Sequence, residues 1–183
     1  MKKINVLMIA LATLALSACS SLKDAAIVKV DVADFNINIT ADVGPTRSGE
    51  GITRTGNPFG GSYVLSINSS QFSNLRPYRN LMSGITIEDV AITITKSGGG
   101  SGTATNIILS ATGVSPNFTL ASYTLGQKIQ GNAALLNFIK STILQLKTND
   151  NVTVSIAGET NVTSGSLDVV IEVKGIKVLV ETI

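Results

Sequence analysis

Residues 167–183 read LDVVIEVKGIKVLVETI. Leu167, Val169, Ile171 and Val173 fall on alternate positions up to Gly175. Ile176, Val178 and Val180 then continue in the opposite phase. Side chains of a strand alternate between its two faces, so a phase change requires an inserted residue or a break. Gly175 suits such a point, because glycine adopts positive φ without strain. The same signature recurs twice upstream. Val28, Val30 and Val32 give way to Phe35, Ile37, Ile39 and Val43 across Ala33-Asp34, which implies a β-bulge or a bend from one sheet into another. Ile85 and Ile87 give way to Val90, Ile92 and Ile94 across Glu88-Asp89.

Outward from these runs, Tyr63, Leu65 and Ile67, then Thr103–Ala111, Phe118–Leu125 and Val152, Val154 and Ile156 read as further strands. Gly44–Gly61 reads as a long loop and Ser69–Ser83 as irregular. Ser97-Gly98-Gly99-Gly100-Ser101-Gly102 reads as a flexible hairpin connection. One helix is expected over Asn132–Lys147. Asn132 caps it, and Leu135, Leu136, Ile139, Ile143 and Leu146 form an apolar stripe. The pattern predicts an all-β domain, an antiparallel β-sandwich of about seven or eight strands over residues 27–183, with the helix covering one open end or face. A curved sheet or half-barrel wrapped around the helix is the alternative.

The start of the chain has a different character. Met1-Lys2-Lys3 is basic, Ile4–Ala15 is apolar, and Leu16-Ser17-Ala18-Cys19 ends the run with small residues and the single cysteine. This order is that of a secretory signal, and the apolar run is too short to span a bilayer. Here the chain resembles bacterial lipoproteins, whose lipobox directs lipid onto the cysteine before cleavage in front of it. The resemblance implies a signal peptide over 1–18, lipidation of Cys19 with palmitate among its acyl chains, and a short tether over 19–26. It also implies residence in the cell envelope. In a Gram-negative cell, Ser20 after the cysteine goes with the outer membrane rather than the inner.

Composition narrows the function. Lys2 and Lys3 leave with the signal, and the remaining basic and acidic side chains balance, so nothing attracts nucleic acid in general. The chain has no His, and Cys19 is consumed by lipid, which removes the ordinary ligands of zinc, copper and haem and the usual base of a serine nucleophile. The Ser20-Ser21-Leu22-Lys23 spacing abuts the anchor and reads as tether. Glu50, Glu88, Asp89 and Glu159 are acidic without forming a recognisable pair, and aromatic platforms for a sugar are scarce. Asp31 with Asp34, Glu88-Asp89 and Asn149-Asp150-Asn151 lack the spacing of a calcium loop. The expectation is therefore a non-enzymatic protein without cofactor or metal. It serves either as a binding or assembly module for another envelope protein or a polymer, or as a carrier of lipid in an apolar cavity between sheet and helix. All four arginines, Arg47, Arg54, Arg76 and Arg79, lie in or beside irregular stretches with Tyr78, and these five residues form the candidate binding surface.

Overall fold

The computed structural model describes residues 27–44 and 56–181. The signal, Cys19, Glu50, Arg47 and Arg54 therefore lie outside the described residues. Along the chain come strands β1 (Ile27–Val32), β2 (Phe35–Val43) and β3 (Asn57–Ser66), and two 3-10 turns (Ser70–Phe72 and Arg76–Leu81). Strands β4 (Met82–Thr86), β5 (Asp89–Lys96), β6 (Thr103–Ala111), β7 (Phe118–Thr124) and β8 (Lys128–Gln130) follow. Helix α1 (Ala133–Leu144) runs into a 3-10 turn (Gln145–Lys147), and β9 (Asn151–Thr160), β10 (Ser166–Lys174) and β11 (Ile176–Glu181) complete the fold. It is an all-β, antiparallel, sandwich-like arrangement with one main helix.

Eight strands form a curled sheet in the order β7-β6-β9-β3-β2-β10-β5-β8, and three form a small sheet, β1-β11-β4. Among the described residues β2 and β3 pair only briefly, through Asp42 with Gly60 and Val43 with Phe59, and the Gly44 N–H donates to the Pro58 carbonyl at 2.8 Å just beyond. The large sheet thus divides into a front half, β7-β6-β9-β3, and a back half, β2-β10-β5-β8. Gly61 permits the crossing there: a Cβ on it would stand 2.9 Å from the Ala41 Cα. The segment Asn57–Gly61, read from sequence as loop, is the first half of β3. Pro58, Gly60 and Gly61 hide its alternation, and at Gly61 it is the close approach of β2, not apolar packing, that requires the glycine.

All three phase changes are points where a strand leaves one sheet for the other. The order β1-β11-β4 repeats as β2-β10-β5 on the far side of the bend. At each bend, consecutive inward residues step by three: Val32 to Phe35, Ile87 to Val90, and Val173 to Ile176, all buried. Gly175 has φ of +63°, and its N–H donates to Asp34 Oδ1 at 2.9 Å. The Glu88 N–H donates to the Lys174 carbonyl at 3.1 Å. The seven strand runs legible in sequence become eleven strands because three of them bend and because β8, only three residues long, shows no alternation.

Helix α1 begins where expected. Asn132 Oδ1 accepts from the Leu135 N–H at 3.0 Å. Its buried face is Leu135, Phe138, Ile139, Thr142 and Ile143, with Leu146 following in the 3-10 turn; Leu136 is only partly buried. Thr142 is satisfied by donating to the Phe138 carbonyl at 2.8 Å. The helix packs on β4, β5 and β7. It therefore fills the side on which the large sheet does not close, between edge strand β7 and the β5-β8 edge. Tyr123 fastens that side: its hydroxyl donates to the Gln127 carbonyl and accepts from the Ile94 N–H at 2.8 Å. Both sheets and the helix share one hydrophobic cluster. Among the described residues no helix is long and apolar enough to cross a membrane.

Candidate binding surfaces

Of the five residues proposed from sequence as a binding surface, Arg76, Tyr78 and Arg79 are described, all on the 3-10 turn before β4. Arg79 is committed to the fold. Its Nε donates to the carbonyls of Leu146 (2.8 Å) and Lys147 (3.2 Å), and its guanidinium pairs with Asp150. The last carbonyls of a helix lack partners within it, and a planar guanidinium satisfies them well. Arg79 is thus a cap supplied from a distant segment. Arg76 donates from a terminal nitrogen to the Asn68 carbonyl at 2.8 Å while remaining exposed. Tyr78 is 40% exposed.

The acidic candidates do not converge. Glu88 sits at the bend beside Lys177, with 3.7 Å between charged atoms, whereas Glu159 is on β9, opposite Pro58 and Thr105. Asp34 accepts from Gly175, and Asp150 pairs with Arg79. Among the described residues no group of three His, Cys, Asp or Glu is placed to hold a metal ion.

The arrangement nearest to a catalytic one was not legible in sequence. Ser166 Oγ donates to Ser97 Oγ at 2.9 Å, and Ser97 Oγ donates to Asp168 Oδ2 at 2.7 Å. These residues lie 69 and 71 positions apart, and only the pairing of β10 with β5 brings them together. The usual base for a serine nucleophile is an imidazole or an amine, and this hydrogen-bonded cluster holds only hydroxyls and a carboxylate. The cluster pins the Ser97 turn to β10. Thr40 Oγ1, 3.5 Å from Asp168 Oδ1, extends it to β2.

Charge divides the two halves of the large sheet. The front strands carry one ionisable acid, Glu159, and no Lys or Arg. The back half carries Asp42, Asp89, Lys96, Lys128, Asp168, Glu172 and Lys174. There Glu172 accepts from Lys128 Nζ at 2.7 Å and lies 3.4 Å from Lys174 Nζ. The hydrogen bond from Lys128, with a smaller contribution from Lys174, holds its carboxyl below the usual carboxylate range. Burial pushes the Tyr123 hydroxyl above its ordinary value, against the opposing bond to Ile94.

Among the described residues are two surface grooves. One, of about 290 Å³, lies between the Ser115-Pro116-Asn117 turn and the helix face formed by Ala134, Asn137, Phe138 and Ser141. The other, of about 260 Å³, is a shallow depression on β6 and β7 around Asn106, Ile108 and Thr119. Neither is lined by a charged side chain. No described protein family matches this chain, and neither the curated proteins nor the solved structures contain a significant match to it.

Proposed function

We propose that this chain is a non-enzymatic, lipid-anchored protein of the cell envelope whose all-β domain serves as a binding or assembly module. The anchor half of this reading rests on the lipobox order of residues 1–19. The module half rests on one observation, the dense packing beneath the helix. Ile139, Ile143 and Leu146, like Ile92, Ile94, Leu109 and Val154 of the sheet, show no accessible surface at all. A side chain that offers no surface to a water-sized sphere does not line a cavity wide enough for an acyl chain. This favours the module over the alternative of a lipid carrier with the helix as its lid. The partner of the module is another envelope protein or a polymer, not nucleic acid.

The anchor is tested by the mass of the mature protein recovered from membranes. Cys19 is expected to bear lipid and to be the first residue. Cys19→Ser is expected to leave the precursor uncleaved at this site. An unmodified Cys19 in the mature protein would overturn the reading.

A further inference from the structure

Five large apolar or aromatic side chains are exposed among the described residues: Ile27 (62%), Val28 (47%), Val64 (54%), Tyr78 (40%) and Ile108 (42%). Val64 and Ile108 stand singly among the uncharged residues of the front sheet, an ordinary condition for a protein surface. The other three share one end of the small sheet. Val28 pairs with Val180, and Val180 with Met82, so these residues form one row across β1, β11 and β4. The 3-10 turn bearing Tyr78 leads directly into Met82 and packs on β11. Val28 points the same way as the buried Val180, but at the edge of the sheet, where it stays about half exposed.

We propose that this end of the small sheet, with Ile27, Val28 and Tyr78 at its margin, rests on the phospholipid surface and sets how the domain stands on the membrane. The inference builds on the lipid anchor proposed above. Three features select a bilayer as the occupant. First, eight residue steps separate Cys19 from Ile27, and a fully extended chain covers at most about 3.6 Å per residue, so this end stays within roughly 30 Å of the lipid. No other end of the domain is tied so closely. Second, the side chains have the mixed character of an interfacial site, with two aliphatic residues and one tyrosine whose ring is apolar and whose hydroxyl is polar. Third, exposed Lys29, Arg76 and Lys147 border the patch, Lys147 through its Nζ donating to the Met82 carbonyl at 2.8 Å, and outnumber Glu181, which pairs with Ile27 across β1 and β11. That balance suits an anionic headgroup layer. The acyl chains on Cys19 hold the protein to the membrane without fixing its orientation, and a second, weaker contact of this type orients it. The Arg76–Tyr78 surface then faces the membrane, and the Ser97–Gly102 connection at the far end of β5 faces away from it.

The chain contains no Trp, so a single introduced Trp is a clean reporter. Full-length lipidated protein carrying Val28→Trp, Tyr78→Trp or, as control, Ile108→Trp would be reconstituted into phosphatidylethanolamine–phosphatidylglycerol vesicles. Part of the lipid would carry brominated acyl chains, which quench nearby indole. Val28→Trp and Tyr78→Trp are expected to shift to the blue and lose most of their emission, and Ile108→Trp to keep its own. Equal or absent quenching at the three positions, in protein whose mass shows lipid on Cys19, would overturn this inference alone. Absence of lipid on Cys19 would remove the anchor and this inference with it. A blue shift that grows with protein concentration, without quenching by bromine, would assign the patch to a second copy instead and overturn the bilayer contact.

Discussion

At the corner through Gly175, three strands pass from one sheet into the other without a break in the chain, whereas the opposite side, between β7 and the β5-β8 edge, is closed by side chains. The first corner is held through the main chain and one carboxylate: the Gly175 N–H donates to the Asp34 side chain, the Glu88 N–H donates to the Lys174 carbonyl, and the ladders resume in the same order beyond the bend. The second depends on the buried face of α1 and on the hydroxyl of Tyr123. A corner made by continuous strands is sensitive to backbone conformation, and a side closed by side chains is sensitive to volume and to polar partners. Single substitutions therefore separate the two.

The largest effect is expected on the side-chain side. Ile139 is fully buried, and Ile139→Ala should lower stability by about 2–5 kcal/mol, the range for truncating a large aliphatic residue in a filled core. Denaturant or thermal melts measure this, and added phospholipid should leave the loss unchanged. A mild loss that lipid restores would instead reveal a ligand space beneath the helix.

At the bend, Gly175→Ala forces a Cβ onto a residue with φ of +63° and to within 2.6 Å of the Glu88 side chain. The expected cost is about 1–3 kcal/mol. The crowding has two parts, the Glu88 carboxyl at 2.5 Å and the Glu88 Cβ at 2.6 Å, so Gly175→Ala combined with Glu88→Ala should recover the part due to the carboxyl and leave the Cβ contact and the conformational part. Full recovery in the double variant would show that crowding, not φ, demands the glycine.

The third effect depends on pH. Tyr123→Phe removes the partner of the Ile94 N–H and should cost about 1–3 kcal/mol at neutral pH. The folded-state hydroxyl titrates above its unfolded value. Its contribution is therefore complete below the ordinary tyrosine pKa and is lost as pH rises through the folded one. The natural protein should weaken on the alkaline side more steeply than Tyr123→Phe. Parallel alkaline limbs for the two proteins would place the titration elsewhere.

The contrast between the two sides also explains what was legible beforehand. The bends announced themselves at Ala33-Asp34, Glu88-Asp89 and Gly175, because alternation is a local pattern and a phase step interrupts it locally. Phe138 lies on the buried helix face between Leu135 and Thr142, outside the apolar stripe expected from sequence. The apolar stripe is continuous without it, so nothing demanded its inclusion. Arg79 has the composition of an interaction surface, an arginine beside a tyrosine in an irregular stretch, but belongs to the fold. Its carbonyl partners lie 67 and 68 residues away, and no spacing rule reaches them.

Residue pattern alone determined the strand-rich character of the domain, the position of its helix and the three places where strands change face, since each follows from periodicity or capping within a few residues. Tertiary structure decided that the three bends align into one corner, that Asp34 meets Gly175 across 141 residues, and that Ser97, Ser166 and Asp168 gather on one face. Such meetings depend on which strands pair and in what register. Register emerges only when the whole set of apolar faces is buried together.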